Sequence, residues 1–241
     1  ESDPTEAYQG DLVVLSFGKG KPVSLLGGGL LYDRRADLRA LFPIPAPAAA
    51  VPSSLPALLA KFAAYNLVIH RLFYWLIELA PFIEMGKTVY KKLESLQETP
   101  ALKLSFIQAN IDAYLQRTRR AENGLKQLLS DVGFPHSALS NRAPTYQQQR
   151  MLRFPILVDV PAQRNSLLDS LQRAGLGAST FYPAPLNEID NIPDIVKSQG
   201  PFPNAKDFAS RLITLPTHRG CNTGFLLRIR GEFSPRKRIA Q

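Results

Sequence analysis

Residues 12–32 read Leu-Val-Val-Leu-Ser-Phe-Gly-Lys-Gly-Lys-Pro-Val-Ser-Leu-Leu-Gly-Gly-Gly-Leu-Leu-Tyr, and the fold class turns on them. The first four are apolar and rich in β-branched side chains, the pattern of a short buried strand. That strand runs into Ser16-Phe17-Gly18-Lys19-Gly20-Lys21-Pro22, a glycine-rich, basic turn. Residues 23–32 supply a second turn and a returning strand, with Gly27, Gly28 and Gly29 allowing close backbone packing. A lysine in a glycine turn at the carboxyl end of a strand sits where α/β sheets place ligands, and Ser16 with nearby N–H groups suits a phosphate. A Walker A loop is excluded, because Pro22 follows Lys21 where that loop needs Ser or Thr.

Downstream, residues 43–56 hold five prolines among many alanines, the composition of a linker or irregular crossing segment. Residues 62–79 are apolar almost all round, as in a buried or interface helix. Leu104, Ile107, Ile111 and Leu115 recur at helical spacing, predicting one helix over residues 105–129. Past residue 141 the pattern alternates. A strand is expected at 154–158, then a helix at 162–174 with Leu167, Leu168 and Leu171 on one face and Gly175 as its C-terminal cap. Residues 178–182 read as the next strand, 201–215 as a helix with an extended exit, and 224–228 as a short strand. There is no internal repeat.

Taken in order, these segments resemble the DegT/DnrJ/EryC1/StrS family of pyridoxal-phosphate sugar aminotransferases. Ser16-Phe17, Lys21 five residues after the serine, and Gly27-Gly28-Gly29 are similar to its Ser-Phe-x-x-x-Lys stretch and downstream glycine pair. Gln108-Ala109 and Arg119-Arg120-Ala121 are similar to its interdomain helix. Arg153-Phe154-Pro155, Gly175-Leu176-Gly177 and Phe181-Tyr182-Pro183 resemble landmarks of its small domain, and Leu215-Pro216-Thr217-His218 its penultimate segment.

The resemblance implies an α/β fold, the C-terminal part of a fold type I transferase: the end of the large αβα domain, a helical connection and a small α/β domain. Residues 1–44 would end the large cofactor-binding domain, 45–140 would form the linker and interdomain helices, and 141–241 the small domain. It further implies pyridoxal 5'-phosphate held covalently by Lys21, with Ser16 on its phosphate and Tyr182 against substrate. The substrates implied are a nucleotide-linked keto sugar and an amino acid donor such as glutamate, in polysaccharide or amino-sugar biosynthesis, with the enzyme a homodimer. Such a lysine needs a lowered pKa, from partial burial or a neighbouring cation such as Lys19.

The chain departs from the family in specific places. The acid that faces the pyridinium nitrogen, the aromatic residue that stacks on the ring and the glycine-helix phosphate contacts belong upstream of Glu1, and Asp3 and Asp11 are too close to Ser16 to replace the acid. Asn187 stands where many relatives have histidine. Two other readings therefore stay open: a catalytically incomplete fragment or inactive member, and a basic module for phosphate or nucleic acid.

Composition narrows the rest. With 45% hydrophobic and 20% charged residues the chain can bury a sizeable core. Its net charge of +9 is spread along the sequence, which reads as a solvated basic surface rather than a nucleic-acid face. Cys221 is the single cysteine, so no internal disulfide forms and a reducing cytoplasm suits the chain. His70, His136 and His218 lie far apart in sequence, so no metal is expected. No basic segment followed by an apolar run precedes the first strand, so no secretory signal is expected. Residues 65–83 are the most apolar stretch, but His70, Arg71 and Glu78 interrupt it and Pro81 would end a helix. Phe73-Tyr74-Trp75 within it would face a partner subunit or touch a membrane surface, not span one.

Overall fold

The computed structural model describes residues 10–33, 48–49, 54–68, 90, 92, 96–134, 150–180, 182–218 and 220–233. Phe73-Tyr74-Trp75, His70, His136 and most of the expected helix at 62–79 lie outside these. The chain divides into two compact units, one made of Glu1–Met85 with Lys92–Gln116, the other of Gly86–Lys91 with Arg117–Gln241.

In the first unit, β1 (Leu12–Ser16) and β2 (Gly29–Asp33) pair antiparallel, with Leu12 opposite Asp33 and Ser16 opposite Gly29. The strand-turn-strand reading therefore holds, but β1 is not buried throughout. Its positions alternate, and Val14 is 76% exposed. A two-stranded ribbon has two faces, and among the described residues neither of them is covered throughout. Helix α1 (Leu55–Val68) starts inside the proline-rich stretch. Ser54 caps it, its Oγ accepting the Ala57 N–H at 3.4 Å, and Pro56 falls in the first turn, where no amide donor is needed. Among the described side chains of α1 only Leu58 is buried, so the described part of the expected buried or interface helix is largely exposed in the single chain. Phe62 packs on Phe106 at 5.9 Å between ring centroids, tilted by 53°.

A short α2 (Ala101–Leu104) comes first, and the single helix expected over 105–129 is instead two pieces, α3 (Ile107–Leu115) and α4 (Arg120–Asp131). The break before α4 coincides with Arg117, where the long stretch of the second unit begins. There the Arg117 guanidinium turns inward to donate to the Glu122 carboxylate and to the carbonyls of Thr217 and Met151. Helical continuation would compete with those bonds.

The second unit continues with β3 (Arg153–Leu157), α5 (Pro161–Arg173), a short α6 (Asp194–Lys197), α7 (Pro203–Arg211), β4 (Leu212–Pro216) and α8 (Thr223–Phe233). β3 and β4 pair antiparallel, with Phe154 opposite Leu215 and Ile156 opposite Ile213. The strand expected at 178–182 reduces to one bridge between Ser179 and Thr214. Leu125 and Leu129 of α4, Ile156, Leu171, Ile213, Leu215, and Ile229 and Phe233 of α8 are fully buried together. Truncating any such leucine to alanine costs about 2–5 kcal/mol. Phe134 meets Phe233 edge-on at 4.7 Å.

Gly175 ends α5 as expected. Its φ is +62°, its N–H donates to Gln172 at 2.8 Å, and the Leu176 N–H closes back on Leu171 at 3.0 Å. The short strand expected at 224–228 is a helix, α8. Asn222 starts it, its side-chain oxygen accepting the Phe225 N–H at 3.2 Å, and Phe225, Leu226, Ile229 and Phe233 then bring one face to the core.

Candidate active site

The hairpin's shape follows from its glycines. After the tip, Leu26, Gly27 and Gly28 have φ of +58°, +136° and +92°, a run that glycine adopts readily. Gly29 is needed for a different reason, because a Cβ there would stand 2.7 Å from the Leu15 carbonyl oxygen. Phe17 closes the neck. Its N–H donates to the Gly28 carbonyl at 3.0 Å, and its carbonyl accepts from Leu25 at 2.9 Å and Gly27 at 3.1 Å.

Ser16 and Lys21 are thus held on one closed turn. Ser16 ends β1 with an exposed hydroxyl whose Oγ accepts the Gly18 N–H at 3.3 Å. Lys21 is half-buried, its backbone N–H donating to Gly18 at 3.3 Å. Among the described residues no carboxylate or carbonyl pairs with its amine. Lys19 sits exposed on the same turn.

Two neighbours of the turn were not legible in the sequence. A Cβ on Gly28 would come within 3.0 Å of Thr99 Oγ1, and one on Gly27 within 3.8 Å of Lys103 Nζ. Some seventy residues separate these partners from the glycines, and no spacing rule joins them.

Tyr182 belongs to the second unit. It is 56% exposed with φ of +74°, a conformation costly for a non-glycine residue. It borders an open, mainly apolar pocket of about 500 Å³ lined by Pro185, Ala205, Phe208 and Leu212. Tyr182 is therefore not a core aromatic.

Near the end of β4, partial desolvation and then the charges of Arg153 and Arg117 push the His218 imidazole below its usual range. The neutral ring accepts the Gly220 N–H on Nδ1 at 3.0 Å. Among the described residues no group of three or more His, Cys, Asp or Glu could hold a metal ion. Among the described residues no helix is long and apolar enough to cross a membrane.

A sequence profile described as the DegT/DnrJ/EryC1/StrS aminotransferase family matches residues 99–231, more than half of the chain. The chain belongs to this family. The matched span takes in Thr99 and Lys103, α2 to α7, most of α8 and Tyr182, whereas Ser16 and Lys21 precede it. No curated protein matches the sequence.

Among solved structures, the chain is similar to PseC of Helicobacter pylori, an aminotransferase involved in the biosynthesis of pseudoaminic acid. Identity is 15%, the TM-score is 0.54, and the match covers 94% of this chain and 55% of that one. DesV of S. venezuelae matches at 16% identity and a TM-score of 0.52, over 92% of this chain and 51% of the other. A DegT DnrJ EryC1 StrS aminotransferase from Brucella abortus matches at 14% and 0.51, over 93% and 50%. At these identities the likeness is one of fold, and the α/β architecture is that of part of a fold type I aminotransferase. The chain spans about half the length of the structures it matches.

Proposed function

We propose that this family member takes part in pyridoxal-phosphate-dependent transamination of a nucleotide-linked keto sugar, with an amino acid such as glutamate as donor. The product would be an amino sugar, for polysaccharide or related biosynthesis. The observation that carries the reading is Lys21: a half-buried residue whose amine has no ion-pair partner among the described residues, on a turn closed by its own backbone.

The residues present fit the cofactor at its point of attachment. An amine not committed to a carboxylate is free to bond an aldehyde carbon, and the Ser16 hydroxyl on the same turn is exposed and can donate to a phosphate oxygen. When bound, the cofactor supplies the electron sink for the carbon that gains or loses the amino group. Lys21 would hold the cofactor and move a proton at that carbon, while Tyr182 would contact the sugar. As in the family generally, the working unit would be a homodimer, placed in the cytoplasm.

Against a basic nucleic-acid module stands the use made of the arginines. Arg150 donates to the Arg117 carbonyl at 2.9 Å, Arg153 to Thr214 at 2.9 Å, and Arg164 to Ser210 at 2.6 Å. These guanidiniums serve the fold through backbone carbonyls, which favours a structural use of these three arginines over a phosphate-binding one.

The test is a half-reaction: the protein loaded with pyridoxal phosphate is mixed with glutamate and 2-oxoglutarate is measured. The reading expects release of at most one equivalent per site, abolished in Lys21→Ala. Equal release from both proteins sinks it.

A further inference from the structure

We infer that Leu25 is a positioning residue for Lys21, acting through the closed neck of the turn that carries it. The inference deepens the reading of Lys21 as the cofactor-bearing lysine and rests on it. Leu25 is completely buried, at 0% exposure, although Leu12, Val14, Leu30 and Leu31 of the flanking strands are all exposed. Apolar burial at this end of the hairpin is thus concentrated on Leu25 and its bonded neighbour Phe17.

Around this plug the backbone has little freedom. The Leu25 and Gly27 amides share the Phe17 carbonyl, the Leu26 N–H is held by Ser24 Oγ at 3.3 Å, and Gly28 lies against Thr99. Leu26, a non-glycine residue at φ of +58°, keeps that conformation only while its surroundings enforce it. On the other side of the tip, Ser16 Oγ and the Gly18 carbonyl fix the backbone up to Lys21. Removing the Leu25 side chain empties a fully buried position beside the neck, and the lysine would then sample solvent as Lys19 does.

Lys19 provides an internal reference, being an exposed lysine on the same turn. The experiment is competitive acetylation of the full chain with trace acetic anhydride at mildly alkaline pH, reading the Lys21 to Lys19 ratio by mass spectrometry. It compares the unaltered protein with Leu25→Ala, Leu25→Met and Leu58→Ala, the last truncating another buried leucine of the same unit.

We expect unequal acetylation in the unaltered protein, a ratio close to one in Leu25→Ala, and ratios kept in Leu25→Met and Leu58→Ala even though Leu58→Ala lowers stability. A ratio near one at the outset, a ratio unmoved by Leu25→Ala, or an equal shift in Leu58→Ala overturns the inference. Borohydride reduction with pyridoxal phosphate, run in parallel, reports separately on the cofactor reading. Failure to label Lys21 there, with the acetylation pattern as expected, would sink that reading and leave the positioning by Leu25 intact.

Discussion

Arg117 and Glu122 form a buried ion pair at the break between two helices, and the same guanidinium donates to the carbonyls of Thr217 and Met151. Glu122 is 2% exposed, and its Oε1 also accepts the Met151 N–H at 3.2 Å. Removing one partner of such a pair strands the other charge in a low-dielectric site. Arg117→Met should cost about 3–5 kcal/mol in a urea titration, and adding Glu122→Leu to it should recover much of that loss. If the single substitution is silent, the pair does not hold this corner of the fold.

Gly29→Ala places a methyl group against backbone, not against a side chain that can swing aside. Overpacking of this kind costs about 1–3 kcal/mol. The cost should appear as a lowered unfolding midpoint, with Leu30→Ala at the neighbouring exposed position close to neutral.

Burial pushes the Cys221 thiol up to about 11 from 9.0, with smaller opposing effects from the His218 backbone and Arg153. The folded chain therefore keeps a proton that the unfolded chain loses near pH 9. Stability from this group is present below that value and declines as pH rises towards 11. Urea midpoints measured across that window should fall more steeply for the unaltered protein than for Cys221→Ala; parallel curves would contradict the shift.

Asn222→Ala removes the side-chain acceptor for the Phe225 amide and should destabilise α8 by about 1 kcal/mol. Asn222→Asp, which keeps an acceptor at a helix N-terminus, should be close to neutral in the same melt.

What the sequence disclosed and what it hid divide along the range of the interactions. The closed turn at Lys21 and the Gly175 cap were legible because they depend on local backbone conformation, for which glycine is the sign. The helix break was not, because Arg117 finds Thr217 one hundred residues away and Met151 thirty-four away. Helix α8 reads as a strand in the sequence because Gly224 and Gly231 weaken its local signal, while Ile229 and Phe233 settle its conformation by packing into the core. Thr99 and Lys103 reach the glycine turn only through tertiary folding. The bare apolar pattern of residues 12–15 gave the strand but not its exposure, since burial depends on what lies across each face.

The role of Lys21 is read most directly from the site of covalent attachment. Pyridoxal phosphate is added to the protein, the mixture is reduced with borohydride, and the labelled peptides are mapped. One dominant label is expected on Lys21, lost in Lys21→Ala with the urea midpoint unchanged. Label spread over exposed lysines such as Lys19, Lys197 and Lys206, with Lys21 no richer than they are, would contradict it.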